Sequence, residues 1–207
     1  MMNISDAIVF IVDDDPAIRD SLTLMIAQEG LAVKAFESAE DFLTTCHKEY
    51  FGCAILDIRM LGMDGIQLQD ELSKRNILLP IIFLTGHGDI PMSVRAMKAG
   101  AVDFLTKPVM REKLLISVRA AIQKSEKVLM ESVNHKDAQA RLSELTDREQ
   151  DVMMLAIQGY PNKEIARHLG ISHRTVEIHK SKIMFKTGAI NLLDLARIAH
   201  ESGLSNA

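Results

Sequence analysis

The stretch Ala54-Ile55-Leu56-Asp57-Ile58-Arg59-Met60-Leu61-Gly62-Met63-Asp64-Gly65 (residues 54–65) decides the fold. Cys53 to Leu56 is an apolar run of strand length, and a carboxylate stands at its end. The turn Gly62-Met63-Asp64-Gly65 then opens a helical pattern that starts at Asp64 or Gly65 and reaches about Arg75. In an open parallel sheet, residues just past the carboxyl ends of the strands line the crevice where ligands bind. Asp57 is placed there. An aspartate after a single strand is more often a turn or cap residue, so its reading depends on what stands at the other strand ends.

Working outward, Ile8 to Val12 is another buried-strand run, stopped by Asp13-Asp14-Asp15-Pro16. Pro16 suits the first turn of a helix carrying Ile18, Leu22, Met25 and Ile26 at helical spacing, closed by Gly30. Leu31 to Phe36 alternates like a strand, and Ser38 caps a helix with Phe42 and Leu43 inward. Pro80 to Leu84 is a fourth strand, ended by Thr85-Gly86-His87-Gly88-Asp89. A helix through Val94 and Met97 ends at Gly100, and Val102 to Leu105 is a fifth strand before Thr106-Lys107-Pro108. Five strands alternating with helices predict an α/β fold, a doubly wound five-stranded parallel sheet. Both faces of such a sheet are covered, which is why its strands read as unbroken apolar runs.

The strand ends now form a set: Asp13 and Asp14, Asp57, Thr85 and Lys107. Three carboxylates converging in one crevice repel each other, and burying them without a cation is costly. Hard oxygen ligands suit Mg²⁺ (or another divalent cation such as Mn²⁺), which keeps several waters and bridges to phosphate. The Thr85 hydroxyl and the Lys107 ammonium supply a donor and a counter-charge for a phosphoryl group. Any one of these residues alone reads as an ordinary loop polar group. Five at the ends of four of the five strands do not.

The bulk properties agree. Hydrophobic content of 47% and charged content of 25% are ordinary for globular protein. Cys46 and Cys53 lack C-x-x-C spacing and read as reduced thiols. No signal-peptide pattern opens the sequence and no apolar run is membrane-spanning, so a cytoplasmic location without membrane attachment is expected. Charge is uneven: residues 1–123 carry 12 Lys and Arg against 17 Asp and Glu, whereas residues 141–207 carry 9 against 8. Within the latter, Lys163, Arg167, Arg174, Lys180, Lys182 and Lys186 face only Glu164 and Glu177 over residues 163–186. An acidic first part and a locally basic second part suit two jobs.

Residues 6–123 resemble the receiver domain of bacterial response regulators. The resemblance implies that Asp57 is the phospho-acceptor and that Asp13 and Asp14 are the acidic pair, with Asp14 the more direct Mg²⁺ ligand. It implies the backbone carbonyl of Arg59 as a further ligand, Thr85 and Lys107 as the phosphate-sensing hydroxyl and lysine, and Phe104 as the switch aromatic. A cis peptide at Lys107-Pro108 is also implied. Leu61 departs from the family's usual proline and removes no chemical group. A carboxylate is a competent nucleophile in phosphoryl transfer, and the added charge of about −1.5 to −2 biases a two-state face. The resemblance places that face on the helix near Val94 to Ala99, the strand with Phe104, and the following helix, where Met92 and Met97 are available for repacking.

Leu114, Val118, Ala121, Ser125, Val128 and Ser132 step by four and three, a seam too short and polar for a coiled coil. Lys124 to Ala140 has neither Gly nor Pro, and residues 124–141 read as a helical linker. Residues 142–207 are helical throughout in pattern. Thr146-Asp147-Arg148-Glu149 is a capping box, with Val152, Leu155 and Ala156 as the apolar face and Gly159 at the end. Asn162 caps a short helix with Ile165, Ala166 and Leu169, and Gly170-Ile171-Ser172 turns into a helix capped by Ser172. In that helix Val176, His179 and Ile183 share one face, and Arg174, Glu177, Ile178 and Ser181 another. His179 reads as a packed histidine, because no second metal-type residue stands near it.

A short helix, a glycine turn and a longer helix with basic flanks is a helix-turn-helix signature. The runs Leu145-Thr146-Asp147-Arg148-Glu149, Asn162-Lys163-Glu164-Ile165-Ala166 and Ile171-Ser172…Thr175-Val176…His179 resemble the four-helix LuxR-type DNA-binding domain. The whole chain thus resembles the NarL/FixJ family of two-component transcription regulators. Residues 85–89, with Pro91-Met92 and the run from Ala96 to Phe104, point to its FixJ side, where the resemblance extends to regulators of styrene catabolism. It implies a sensor histidine kinase, promoter DNA and RNA polymerase as partners, with homodimerisation on phosphorylation. Arg174, Glu177, Ile178 and Ser181 are expected to face the major groove, and Lys163, Lys180, Lys182 and Lys186 to hold phosphates.

Two rivals are weaker. A nucleotide-binding enzyme needs a glycine motif, and Gly86-x-Gly88 lacks a third glycine, follows the fourth strand and is no P-loop. A regulator whose receiver is an inert dimerisation scaffold has no need of the full Asp13, Asp14, Asp57, Thr85 and Lys107 set.

Overall fold

A computed structural model describes residues 6–47, 50–86 and 90–204. The chain divides into two compact units, Met1–Leu129 and Met130–Ala207. In the first, β1 (Ile8–Val12), α1 (Pro16–Ala27), β2 (Ala32–Phe36), α2 (Ala39–Thr45), β3 (Gly52–Asp57), α3 (Gly65–Lys74), β4 (Ile81–Thr85), α4 (Ile90–Lys98) and β5 (Asp103–Thr106) follow one another. The helix α5 (Arg111–Ser143) follows β5, and its last residues belong to the second unit. The expected helical stretch Lys124–Ala140 lies within it.

The five strands form one parallel sheet in the order β2-β1-β3-β4-β5. Because side chains alternate along a strand, the sheet has two separate cores. On one face Phe10, Val12, Ala54, Leu56, Ile81 and Phe83 pack against Ala39, Phe42, Leu68, Leu72 and Ala96 of α2, α3 and α4. On the other, Val9, Ile11, Cys53, Ile55, Ile82 and Leu84 meet Leu22 and Ile26 of α1, and Leu114, Val118, Ala121 and Ile122 of α5. Each fully buried side chain of this size contributes about 1.5–3 kcal/mol before conformational entropy is subtracted. Ser125 continues the α5 seam and accepts a hydrogen bond from Gly52 N–H at 3.1 Å, whereas Ser132 is exposed. Both thiols are buried and free, and burial pushes Cys46 up to about 11 and Cys53 up to about 12. They stay protonated.

Two glycines are required by close approach. At Gly52, with φ of +145°, a Cβ would lie 1.9 Å from the Ile8 carbonyl oxygen. At Gly65 it would lie 2.2 Å from the carbonyl oxygen of Asp57 itself. The α3 N-terminus therefore packs directly on the backbone that carries Asp57, and Asp64 caps it in a capping box with Gln67.

The second unit contains α6 (Asp147–Ile157), α7 (Asn162–Leu169), α8 (His173–Thr187) and α9 (Leu192–Glu201). Its core joins Ala138 and Leu142 of α5 to Val152, Met153, Ile165, Val176, Ile183, Leu195 and Ile198. Met153 is fully buried beside Val152 and Ala156, while Leu155 is only partly so. Thr146 and Glu149 form the expected capping box, and Ser172 caps α8. Asn162 does not cap α7. Pro161 occupies the cap position with extended backbone and no side-chain cap bond, which starts the helix one residue early. Asn162 Oδ1 instead accepts a hydrogen bond from Lys180 Nζ at 2.8 Å. Gly170, in the left-handed conformation with φ of +65°, makes the turn between α7 and α8.

Candidate phosphoryl-acceptor site and nucleic-acid interface

Parallel register brings the strand ends together. Val12 pairs with Leu56, Asp57 with Leu84 and Thr85 with Thr106, so Asp13, Asp57, Thr85 and Lys107 emerge on one edge. Asp13 and Asp57 are buried and Asp14 is exposed, and one carboxylate oxygen from each of the three lies within 4.8 Å of the other two. Lys107 Nζ is 2.6 Å from Asp13 Oδ2 and 3.4 Å from Asp57 Oδ1. Asp57 Oδ1 also accepts from Ile58 N–H at 2.9 Å, which fixes that oxygen. Asp13 Oδ1 accepts from Asp15 N–H at 3.1 Å, and Arg19 donates to the Asp13 carbonyl at 2.6 Å. The third acid of the run, Asp15, serves as the N-cap of α1, accepting from Ala17 N–H at 2.9 Å.

Thr85 is buried at the end of β4, one residue further along the strand than the apolar run suggests. Its carbonyl accepts from Lys107 N–H at 2.8 Å, which ties the two groups together. The Lys107-Pro108 peptide is cis. Phe104 is half-buried, with its ring centroid 6.4 Å from that of Phe83. His87, Gly88 and Asp89 lie outside the described residues. Arg59 is exposed beside the crevice. Leu61, in the loop after Asp57, is 84% exposed, and the loop is held instead by Glu40, which accepts from Met63 N–H at 3.2 Å. That tie was not legible in sequence.

Electrostatics set what the crevice can hold. Three carboxylates share one ammonium. Burial raises the Asp57 pKa and Asp13 adds to the rise, while Lys107 and the Ile58 N–H oppose it. The donor set is therefore oxygen-rich, short of positive charge and open on the Asp14 side, which fits a divalent cation. Because the folded pKa of Asp57 is raised, its stabilising protonation is lost as pH rises through that value. At neutral pH the ionised group is a net cost to the fold. Asp57→Asn should therefore raise the melting temperature at pH 7 without metal, and the difference should shrink as pH falls through the raised value and be gone below the ordinary carboxylate pKa. Added Mg²⁺ should raise the melting temperature of the parent but scarcely that of the variant. Calorimetry at two pH values, with and without Mg²⁺, checks all three outcomes.

In the second unit, α8 presents Arg174, Glu177, Ile178 and Ser181 to solvent, and Val176 and Ile183 to the core. His179 is half-buried on the inner side, and its Nδ1 has no hydrogen-bond partner among the described residues. Lys163 and Lys182 are exposed. Lys180 is tied to Asn162. Lys186 turns inward: its Nζ lies 2.6 Å from Glu149 Oε2 and donates to the Glu144 carbonyl at 3.1 Å. Glu149, only 3% exposed, also accepts from Thr146 N–H at 2.9 Å. These donors, Lys186 foremost, hold its carboxyl down at about 2. Two of the three ammonium protons of Lys186 are thus committed within the protein. Phe185, which the sequence reading passed over, is 89% exposed on α8.

Known proteins carry the same two parts. Residues 9–119 match the response regulator receiver domain, and residues 143–199 match the bacterial regulatory proteins of the luxR family. The fold and the two matches define a transcriptional response regulator. Nodulation protein W of Bradyrhizobium diazoefficiens is 43% identical over 199 residues, across 96% of this chain and 88% of that protein. Transcriptional regulatory protein FixJ of the same organism is 39% identical over 198 residues, across 96% and 97%. Among solved structures, response regulator StyR matches with a TM-score of 0.83 at 40% identity, across 95% of this chain and 99% of that one. The chain belongs to the FixJ-like response regulators, a receiver domain followed by a LuxR-type DNA-binding domain. Among the described residues, no helix is long and apolar enough to cross a membrane.

Proposed function

We propose that a sensor histidine kinase phosphorylates Asp57, and that phosphorylation drives dimerisation and tighter binding to promoter DNA. The observation that carries this reading is the buried Asp57 carboxylate, with Asp13, Asp14 and a single Lys107 ammonium around it. The free Asp57 oxygen attacks the phosphorus of the donor. A P–O bond forms as the bond from phosphorus to the donor's leaving group breaks, leaving an acyl phosphate. Lys107 holds an equatorial phosphoryl oxygen, and Thr85 donates its hydroxyl to another. Asp13, Asp14, Asp57 and the Arg59 carbonyl would hold Mg²⁺ or Mn²⁺, whose charge offsets the repulsion between carboxylate and phosphoryl group. One phosphoryl group is accepted per chain, which is stoichiometric modification and not turnover of a substrate. A chain built for this role is cytoplasmic.

Thr85, drawn toward the phosphoryl group, moves β4, and Phe104 follows on the neighbouring strand. Val94 and Met97, 46% and 45% exposed on α4, form the adjoining face; there two receivers pair. Pairing links two weak DNA-binding domains and raises their effective concentration on paired half-sites. RNA polymerase is then recruited. The test is sedimentation and promoter binding of the full chain before and after acetyl phosphate treatment with Mg²⁺. The expected result is conversion of monomer to dimer together with tighter DNA binding. A monomer at all working concentrations after full modification contradicts it.

Sequence choice rests on α8. Glu177, exposed and 3.6 Å from His173 Nδ1, is an anion facing DNA, and it costs affinity unless a base donates to it. Cytosine N4 is such a donor, and a good pairing discriminates by about 1–3 kcal/mol. Glu177→Ala should relax preference at one base pair per half-site. Lys182→Ala should weaken all sequences alike and reduce the salt slope by about one. Binding-site selection read against salt titration separates the two effects.

A further inference from the structure

We propose that Phe185 is a sequence-determining residue of the DNA-binding domain, reading a thymine methyl group in the major groove. The inference rests on the DNA-binding reading of α8 and extends its reading face by one turn beyond Ser181.

Exposure is the first observation. Phe185 is 89% exposed, in a helix whose core-facing residues Val176, Ile183 and Thr187 are buried. At 100° per residue, Arg174, Ile178, Ser181 and Phe185 fall on one line along α8, within about 60° of each other and opposite the buried residues. A phenyl ring in the middle of the solvent-facing stripe has no packing role within its own domain. Removing apolar area from water is favourable, so a partner surface gains by covering it.

Charge selects the partner. Exposed Arg174 stands at the start of the stripe, exposed Lys182 lies beside it three residues before Phe185, and exposed Glu177 lies on its other side. Two exposed cations against one exposed anion on α8 leave the face net positive, which suits a polyanion. Within a duplex, the apolar group that the major groove offers to such a ring is the C5-methyl of thymine, for which Phe is a fitting contact. Arg174 to Phe185 spans about 16 Å at 1.5 Å per residue, the length of about five base steps at 3.4 Å. Ile178 and Phe185, seven residues apart, are about 10 Å apart along the axis, so they reach different bases. Phe185 carries no charge, so its contact adds apolar contact without neutralising a phosphate.

The experiment uses the full chain and a duplex obtained by binding-site selection. Each thymine of the selected site is replaced in turn by uracil, which deletes only the methyl group. The parent protein should lose about fourfold in affinity at one thymine per half-site, matching about 0.8 kcal/mol for one buried carbon group. Phe185→Ala should bind the thymine and uracil forms of that position equally, and Phe185→Leu should retain part of the difference. The salt slope should be the same for the parent and Phe185→Ala, because no counterion is released by a phenyl ring. If the parent and Phe185→Ala respond identically to every uracil replacement, the assignment is wrong while DNA recognition by α8 stands. If selection enriches no duplex at all, the DNA-binding reading fails, and this inference with it. Circular dichroism of the variants confirms that an exposed substitution leaves the fold unchanged.

Discussion

Asp57→Asn is expected to reduce phosphoryl uptake from labelled acetyl phosphate to background, because the amide removes the nucleophilic oxygen and leaves the crevice otherwise intact. Asp57 is buried on β3, with one carboxylate oxygen fixed by Ile58 N–H, so no other carboxylate takes its place in line with the donor. Lys107→Ala keeps the nucleophile but removes the one ammonium that bridges Asp13 and Asp57. Losing a single positioned donor to developing charge costs about 10²–10³-fold in rate, and uptake should slow by that order. Asp14 is exposed, so Asp14→Ala should leave the fold intact and weaken divalent-cation binding in a metal titration. Undiminished labelling of Asp57→Asn would end the assignment.

The second large effect is in the DNA-binding domain. Glu149 is buried, ion-paired with Lys186 at 2.6 Å and bonded to the first turn of its own helix. Breaking a buried pair by removing one partner costs about 3–5 kcal/mol, and loss of a cap adds about 1 kcal/mol. Glu149→Ala should therefore destabilise the domain by about 3 kcal/mol or more, seen as faster hydrogen exchange across α6 and α8. The pH dependence has a definite sign. The folded pKa is lowered to about 2 from an ordinary carboxylate value. The stability it contributes is thus fully present above that ordinary value and is lost as pH falls toward 2. The difference between Glu149→Gln and the parent should shrink over that same acid range. Lys186→Met should lose stability as well, which would mark Lys186 as a residue that positions α8 more than one that grips DNA.

The crevice was legible because its residues stand at strand ends and the strands announce themselves. Asp13, Asp57, Thr85 and Lys107 each follow an apolar run that the parallel sheet needs for burial on both faces. The exact edge of β4 was not. Pro80 lies just before the strand, and Thr85 is its last residue, because a polar residue can close a ladder whose register its neighbours fix. In the DNA-binding domain the local signals held where partners are near in sequence. The Thr146–Glu149 capping box and the Ser172 cap are such cases. They failed where the partner is distant. Asn162 has the chemistry of a cap, yet Pro161 supplies extended backbone and frees Asn162 to bond Lys180, 18 residues on. Lys186 reads as one more surface cation in a basic run, but its partner Glu149 lies 37 residues away. Phe185 drew no reading from the sequence, since an aromatic among charged residues near a helix end carries no motif, and only the packing of α8 shows it 89% exposed.

The central claim is that a phosphoryl group resides on Asp57. Borohydride reduction tests it directly, since hydride attacks the acyl carbon of an aspartyl phosphate, expels phosphate and leaves homoserine. The full chain, treated with acetyl phosphate and Mg²⁺ and then reduced, is digested and its peptides sequenced by mass spectrometry. The expected result is homoserine at position 57 alone, absent when Mg²⁺ is withheld. Homoserine at position 13 or 14, or phosphate retained on a histidine, would contradict the account.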